Sequence, residues 1–106
     1  MLKIQEEKKE LLRKKDLINK RIDELCLYKS NCIRFKINQE DFYKEYDSGE
    51  ENKNSFLKNW TIKRIEFLNE EMVKVDEEAR FLFREMSDIE ARLIELVELD
   101  NSDLVL

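Results

Sequence analysis

In the second half of the chain, apolar side chains recur every seven residues in two interleaved rows. Ile65, Met72, Ala79, Met86 and Leu93 form one row, and Leu68, Val75, Leu82, Ile89 and Leu96 form the other. The alternating steps of three and four place all ten on one side of an α-helix, and nearly five heptads exceed the three to four that mark a coiled coil. The pattern predicts one long helix over about 55–99, roughly 65 Å at 1.5 Å per residue. Asn54 or Ser55 is the expected cap, and Asp100-Asn101-Ser102 the expected end, because such side chains compete for backbone hydrogen bonds. Along this helix Glu70 and Lys74, Asp76 and Arg80, and Asp88 and Arg92 stand at i,i+4 in the favourable order. Each pair is expected to add about 0.2–0.5 kcal/mol.

The first half carries a weaker version of the repeat. Ile4, Leu11, Ile18, Leu25 and Cys32 are spaced by seven, with Ile22 in the second row, but the other positions of that row are Lys8, Lys15 and Lys29. Lysines there disfavour a parallel zipper of this segment with itself, while their stems can still cover apolar surface and their ammonium groups reach acidic neighbours. A helix over about 3–34 is predicted. Flanking its seam are Lys14 and Arg21; flanking the seam of the second helix are Glu71, Glu78 and Glu85. Antiparallel pairing sets these flanks against each other, so Lys14 and Arg21 are expected to face Glu71, Glu78 and the rest of the acidic row.

Between the two arms, residues 36–54 lose the apolar heptad and turn polar. Within this connector Asn38 resembles a helix start, Phe42 and Tyr46 fall at i,i+4, and Ser48-Gly49 supplies a stop, which predicts a short helix over about 39–47. The expected fold is all-α: one domain over 1–106, a long antiparallel helical hairpin with coiled-coil packing, a short connecting helix and a tail over 100–106.

Apolar residues of the second helix exceed what one seam can use. Trp60, Phe67 and Phe81 share a heptad position on the far flank and form a second stripe. Two stripes on one helix are expected where it packs against more than one neighbour, so the hairpin is predicted to assemble as a dimeric four-helix bundle. The same stripe is alternatively a recognition surface for a partner helix.

Composition agrees with long helices and narrows the chemistry. The chain of 106 residues has one Gly, no Pro and two Ala, and 42% of it is charged. A single glycine excludes glycine-rich phosphate loops. The absence of histidine removes His-based triads and Glu-x-x-His metal sites. No inner position of the second helix is acidic, so no buried carboxylate pair is available for acid–base work. No catalytic residue, cofactor or metal is expected, and the chain is read as non-enzymatic.

Cys26 and Cys32 lie six apart on one predicted helix, too far along its axis for a disulfide. The first residues, Met1-Leu2-Lys3-Ile4-Gln5-Glu6-Glu7, lack the apolar run of a secretory signal, so a reducing cytoplasm is the expected compartment and no membrane span is expected.

The net charge of −5 conceals opposite-signed arms. Residues 1–36 hold 11 Lys/Arg against 6 Asp/Glu, and residues 37–106 hold 9 against 19. Mutual neutralisation is expected to bind the arms to each other, which leaves nucleic-acid binding by the basic arm as the lesser alternative. The leading expectation is a homo-oligomeric coiled-coil protein acting through protein–protein interaction, as an adaptor, assembly factor or small regulator. Its partners are itself, as a dimer, and a further protein that the sequence does not identify. The other alternative is a small acidic phage-type inhibitor that binds a host enzyme, with outward carboxylates mimicking nucleic acid.

Overall fold

The computed structural model describes the backbone of residues 2–47 and 51–105, and the side chains of 2–45 and 55–101. Its two helices are α1 (Leu2–Asp47, 46 residues) and α2 (Glu51–Val105, 55 residues). Every described residue is helical. The reason lies in the chain itself, where nothing but Gly49 breaks a helix and strong helix formers such as Leu, Lys, Glu and Arg dominate.

The hairpin divides into two compact units, one of Met1–Glu24 with Glu78–Leu106 and one of Leu25–Glu77. Each unit is an antiparallel pairing of a stretch of α1 with a stretch of α2. In the first unit, Ile18, Met86 and Ile89 form a buried cluster, with Leu11, Ile22, Leu82 and Leu93 packed against it. Leu96, only 1% exposed, is the most deeply buried apolar side chain among the described residues. In the second unit Leu25, Cys32 and Val75 are buried. All ten seam residues read from the α2 heptad are buried or half-buried.

The seam of the second unit also contains Thr61, which is fully buried. It occupies the position seven before Leu68, and its hydroxyl donates to the Leu57 carbonyl at 2.7 Å, so the polar group is satisfied within its own helix.

Three boundaries differ from the sequence expectation. The break expected after residue 34 is absent, and the separate helix expected over 39–47 is the last part of α1. Physically, the heptad does not stop at Cys32. Lys36, Gln39 and Tyr43 continue it and are half-buried, so polar residues with long or aromatic stems hold the seam where apolar ones run out. Helix α2 starts at Glu51, which leaves Ser55 inside the helix and not at its cap. Asp100-Asn101-Ser102 does not end α2, which runs on to Val105. Asp100 is held by Lys8 at 3.5 Å, an interaction across the helices that offsets its low helix propensity. The expected stop at Ser48-Gly49, the side chains of Tyr46 and Asn54, and Leu106 lie outside the described residues.

Continuity of α1 makes Asn38 an interior helical residue on an exposed face. Asn38→Pro is expected to destabilise the protein by about 3 kcal/mol or more, as a proline does inside a helix; a loop at this position would tolerate it. Chemical denaturation of the two proteins measures the difference. Leu96→Ala is expected to cost about 2–5 kcal/mol, the range for emptying a buried leucine site.

Candidate interaction surface

Antiparallel heptads fix which flanking residues meet. In the first unit three levels succeed one another along one flank, Glu7 with Arg92, Lys14 with Glu85, and Arg21 with Glu78. At the first level Arg92 donates to both carboxylate oxygens of Glu7, from Nε at 2.8 Å and from Nη2 at 3.2 Å. At the third, Arg21 donates to Glu78 in the same two-pronged way, at 3.1 and 3.0 Å. Each guanidinium also grips a carboxylate three residues along its own helix, Glu95 for Arg92 at 2.9 Å and Glu24 for Arg21 at 3.1 Å. Forked pairs of this kind are directional as well as charged. Both arginines are pushed up from their ordinary pKa, chiefly by the cross-helix carboxylate.

The seam lysines of α1 reach sideways into acidic neighbours of α2. Lys29 meets Asp76 at 2.7 Å, Lys15 meets Glu90 at 3.5 Å and Lys8 meets Asp100 at 3.5 Å. Asp76 and Arg92 are therefore engaged across the helices, and the pairs expected along α2 with Arg80 and Asp88 do not form; Lys74 lies nearer Glu71, at 3.9 Å, than the expected Glu70. For Asp76 and Arg92 the partner on the other helix takes the place of the one four residues along. Of the residues expected to pair by charge, Arg21 and Glu78 are joined. Glu71 lies beside Tyr28 and Lys74, and Lys14 forms no ion pair within 4 Å among the described residues. The fork of Arg92 on Glu7 is not among the sequence expectations, although Arg92 sits seven beyond Glu85 in the same flanking row.

Each unit carries a groove. The first, about 450 Å³, has a floor of Leu11, Ile18 and Ile89, with Lys14 and Leu17 on one lip and Glu85 and Asp88 on the other. The second, also about 450 Å³, is walled by Tyr28, Phe35, Phe67 and Leu68, with Cys32 and Gln39 lining it beside Lys63 and Arg64. The Gln39 Oε1 is buried there without a hydrogen-bond partner among the described residues. Desolvation pushes the Tyr28 phenol up from its ordinary pKa, and Glu71 and Cys32 add to the shift. Nearby, the Arg64 guanidinium stacks over the Trp60 ring, 4.9 Å from its centroid.

The second aromatic stripe is exposed on the single chain: Trp60 by 47%, Phe67 by 56% and Phe81 by 60%. Phe83, Ile94 and Val97 are exposed as well. The outward carboxylates Glu66, Glu70, Glu77, Asp88, Glu95 and Glu98 are all exposed. Both cysteines are free thiols, Cys26 exposed and Cys32 buried. Among the described residues no cluster of three or more Cys, Asp or Glu side chains could hold a metal ion. Among those residues, too, no helix is long and apolar enough to cross a membrane. The chain matches no family model, no curated protein and no solved structure.

The Arg92 hydrogen bonds hold the Glu7 carboxyl below its ordinary pKa. A carboxylate whose pKa is lowered in the folded state stabilises that state above the unfolded value, and the contribution disappears as pH falls through the folded value. Wild-type protein is therefore expected to melt higher than Glu7→Gln at neutral pH, with the gap closing below about pH 4, where free glutamate protonates. Thermal melts followed by circular dichroism between pH 3 and pH 7 measure that gap; one that stays constant over the range would contradict the assignment.

Proposed function

We propose that this chain is a non-enzymatic coiled-coil protein that works through protein–protein association, as an adaptor, assembly factor or small regulator. Its first partner is a second copy of itself, in a dimeric four-helix arrangement. The observation that carries the reading is the amount of apolar surface that one hairpin leaves in water. The single chain exposes 8478 Å², whereas a compact monomer of 13.0 kDa exposes about 6,300 Å² by the usual scaling with mass. The excess, about 2,200 Å², is larger than the roughly 800 Å² each partner contributes to a standard interface. Phe81, Phe67, Phe83 and Ile94 are each more than half exposed.

Charge supports the same reading. Four basic side chains of α1, Lys8, Lys15, Arg21 and Lys29, are committed to carboxylates of α2. Phosphate binding by these four side chains would have to break the pairs. The two free thiols fit a reducing compartment such as the cytoplasm.

Sedimentation equilibrium at micromolar concentration is expected to give a dimer whose melting temperature rises with concentration. A monomer with a concentration-independent melting temperature would end the self-association reading. Phe81→Ala is expected to weaken the assembly by about 3–5 kcal/mol, as for an emptied aromatic site, while a change under about 0.5 kcal/mol marks a side chain left in solvent.

A further inference from the structure

Of the apolar patches in the first unit, one is bordered by charges that the chain does not pair across its two helices, Lys14 being near only Glu10 of its own helix. The levels above and below it are closed by arginine forks, Arg92 on Glu7 and Arg21 on Glu78. At the level between them Lys14 and Glu85 stand on opposite lips of the groove, and neither they nor Asp88 forms an ion pair within 4 Å among the described residues. The groove floor is Leu11, Ile18 and Ile89. Leu17, 51% exposed, rises on the α1 lip, and Phe81, 60% exposed, projects from α2. Leu17 falls midway between Lys14 and Arg21, and Phe81 midway between Glu78 and Glu85, so both stand at one height on opposite edges of the same face.

We infer that this groove is the contact surface for a second copy, with the edge of the partner's α1 that carries Lys14 and Leu17 lying along it. The inference rests on the self-association reading and adds the face, the direction and the contacts. The occupant follows from charge. Residues 2–24 hold 8 Lys/Arg against 6 Asp/Glu, while residues 78–105 hold 3 against 8. A two-fold axis running along the helices brings the basic α1 of each copy onto the acidic α2 of the other and keeps every heptad level in place. A two-fold axis across the helices would set α1 on α1, like charge on like.

In this arrangement Lys14 of each copy reaches Glu85 and Asp88 of the other. Leu17 covers the apolar floor and meets Phe81. One like-charged approach results, Glu10 toward Asp88, and Glu10 is already neutralised by Arg13, whose Nε lies 3.0 Å from its carboxylate. The contact is isologous, since each copy supplies both the groove and the edge that fills it, and such a contact closes at two copies.

Charge reversal tests the pairing across copies. Lys14→Glu sets a carboxylate against the Glu85 carboxylate of the other copy, twice per dimer, and Glu85→Lys sets an ammonium group against the Lys14 ammonium in the same way. Each variant alone is expected to dimerise at least tenfold more weakly than wild type. In an equimolar mixture the heterodimer carries one carboxylate pair and one ammonium pair within its subunits' own grooves, but across the copies each charge at position 14 meets its opposite or its native partner at position 85. At one of the two contacts the new carboxylate at 14 faces the new ammonium at 85, and at the other Lys14 faces Glu85, so the mixture is expected to form a heterodimer of about wild-type affinity. Differentially labelled proteins in sedimentation velocity read both results, and far-UV circular dichroism verifies that each variant keeps its helix content. A mixture no tighter than its components, or single variants as tight as wild type, would overturn this face while leaving a wild-type dimer and the broader reading intact. A monomeric wild type would overturn both.

Discussion

Lysines placed in a coiled-coil seam determine which helix α1 can accept. Lys8, Lys15 and Lys29 stand where a self-pairing helix would carry Leu or Ile. Against a parallel second α1 they would stack cation on cation along the seam. Against α2 each finds a carboxylate, Asp100, Glu90 or Asp76. An ion pair at the surface is individually worth only about 0–1 kcal/mol, so these contacts contribute little to holding the hairpin together. Their effect is on choice, because the alternative pairing suffers repulsion at every one of these positions while the native pairing suffers it at none.

The same substitution thins the core. With lysines in one of its two seam rows, α1 contributes mainly its other row, Ile18, Leu25 and Cys32, to the buried interior. Helix α2 carries apolar residues in both rows and more beyond them. Fully burying an aliphatic side chain stabilises by about 1.5–3 kcal/mol, and ordering each residue costs about 1–2 kcal/mol in backbone entropy alone. Helices of 46 and 55 residues therefore bury few aliphatic side chains for the number of residues they order. The aromatic residues left outside add to stability only where another surface covers them, as in the proposed dimer.

What is legible in the sequence is set by contrast. The ten apolar seam residues of α2 stand out against charged neighbours, and their burial follows from spacing alone. The α1 seam past Cys32 does not stand out, because Lys36, Gln39 and Tyr43 are polar by composition and count as seam residues only through their stems and their register. Residue type weighed before register turns a continuous helix into a connector. Thr61 is hidden for the same reason, since it is polar by type and only its register, seven before Leu68, marks it as a seam residue. Spacing along α2 assigns Arg92 to Asp88. Its flanking register across the helices, where it takes Glu7 in a fork, is the stronger guide.

The choice between arginine and lysine separates the closed levels of the first unit from the open one. Arg21 and Arg92 each present a planar fork that engages a cross-helix carboxylate through two nitrogens and keeps another nitrogen for a neighbour on the same helix. Geometry of this kind fastens a pair within one molecule. Lys14 is a compact charge on a flexible stem, without fixed direction, and it leaves the groove between itself and Glu85 open. An arginine at 14 would have the reach and shape to close on Glu85 as Arg21 closes on Glu78, sealing the apolar floor of Leu11, Ile18 and Ile89 beneath an intramolecular clasp. In the proposed contact, lysine keeps the charge that meets the second copy and withholds the fork that would consume it. The middle level is therefore the place on this flank where a positive edge, a negative edge and an apolar floor remain available together to a second copy.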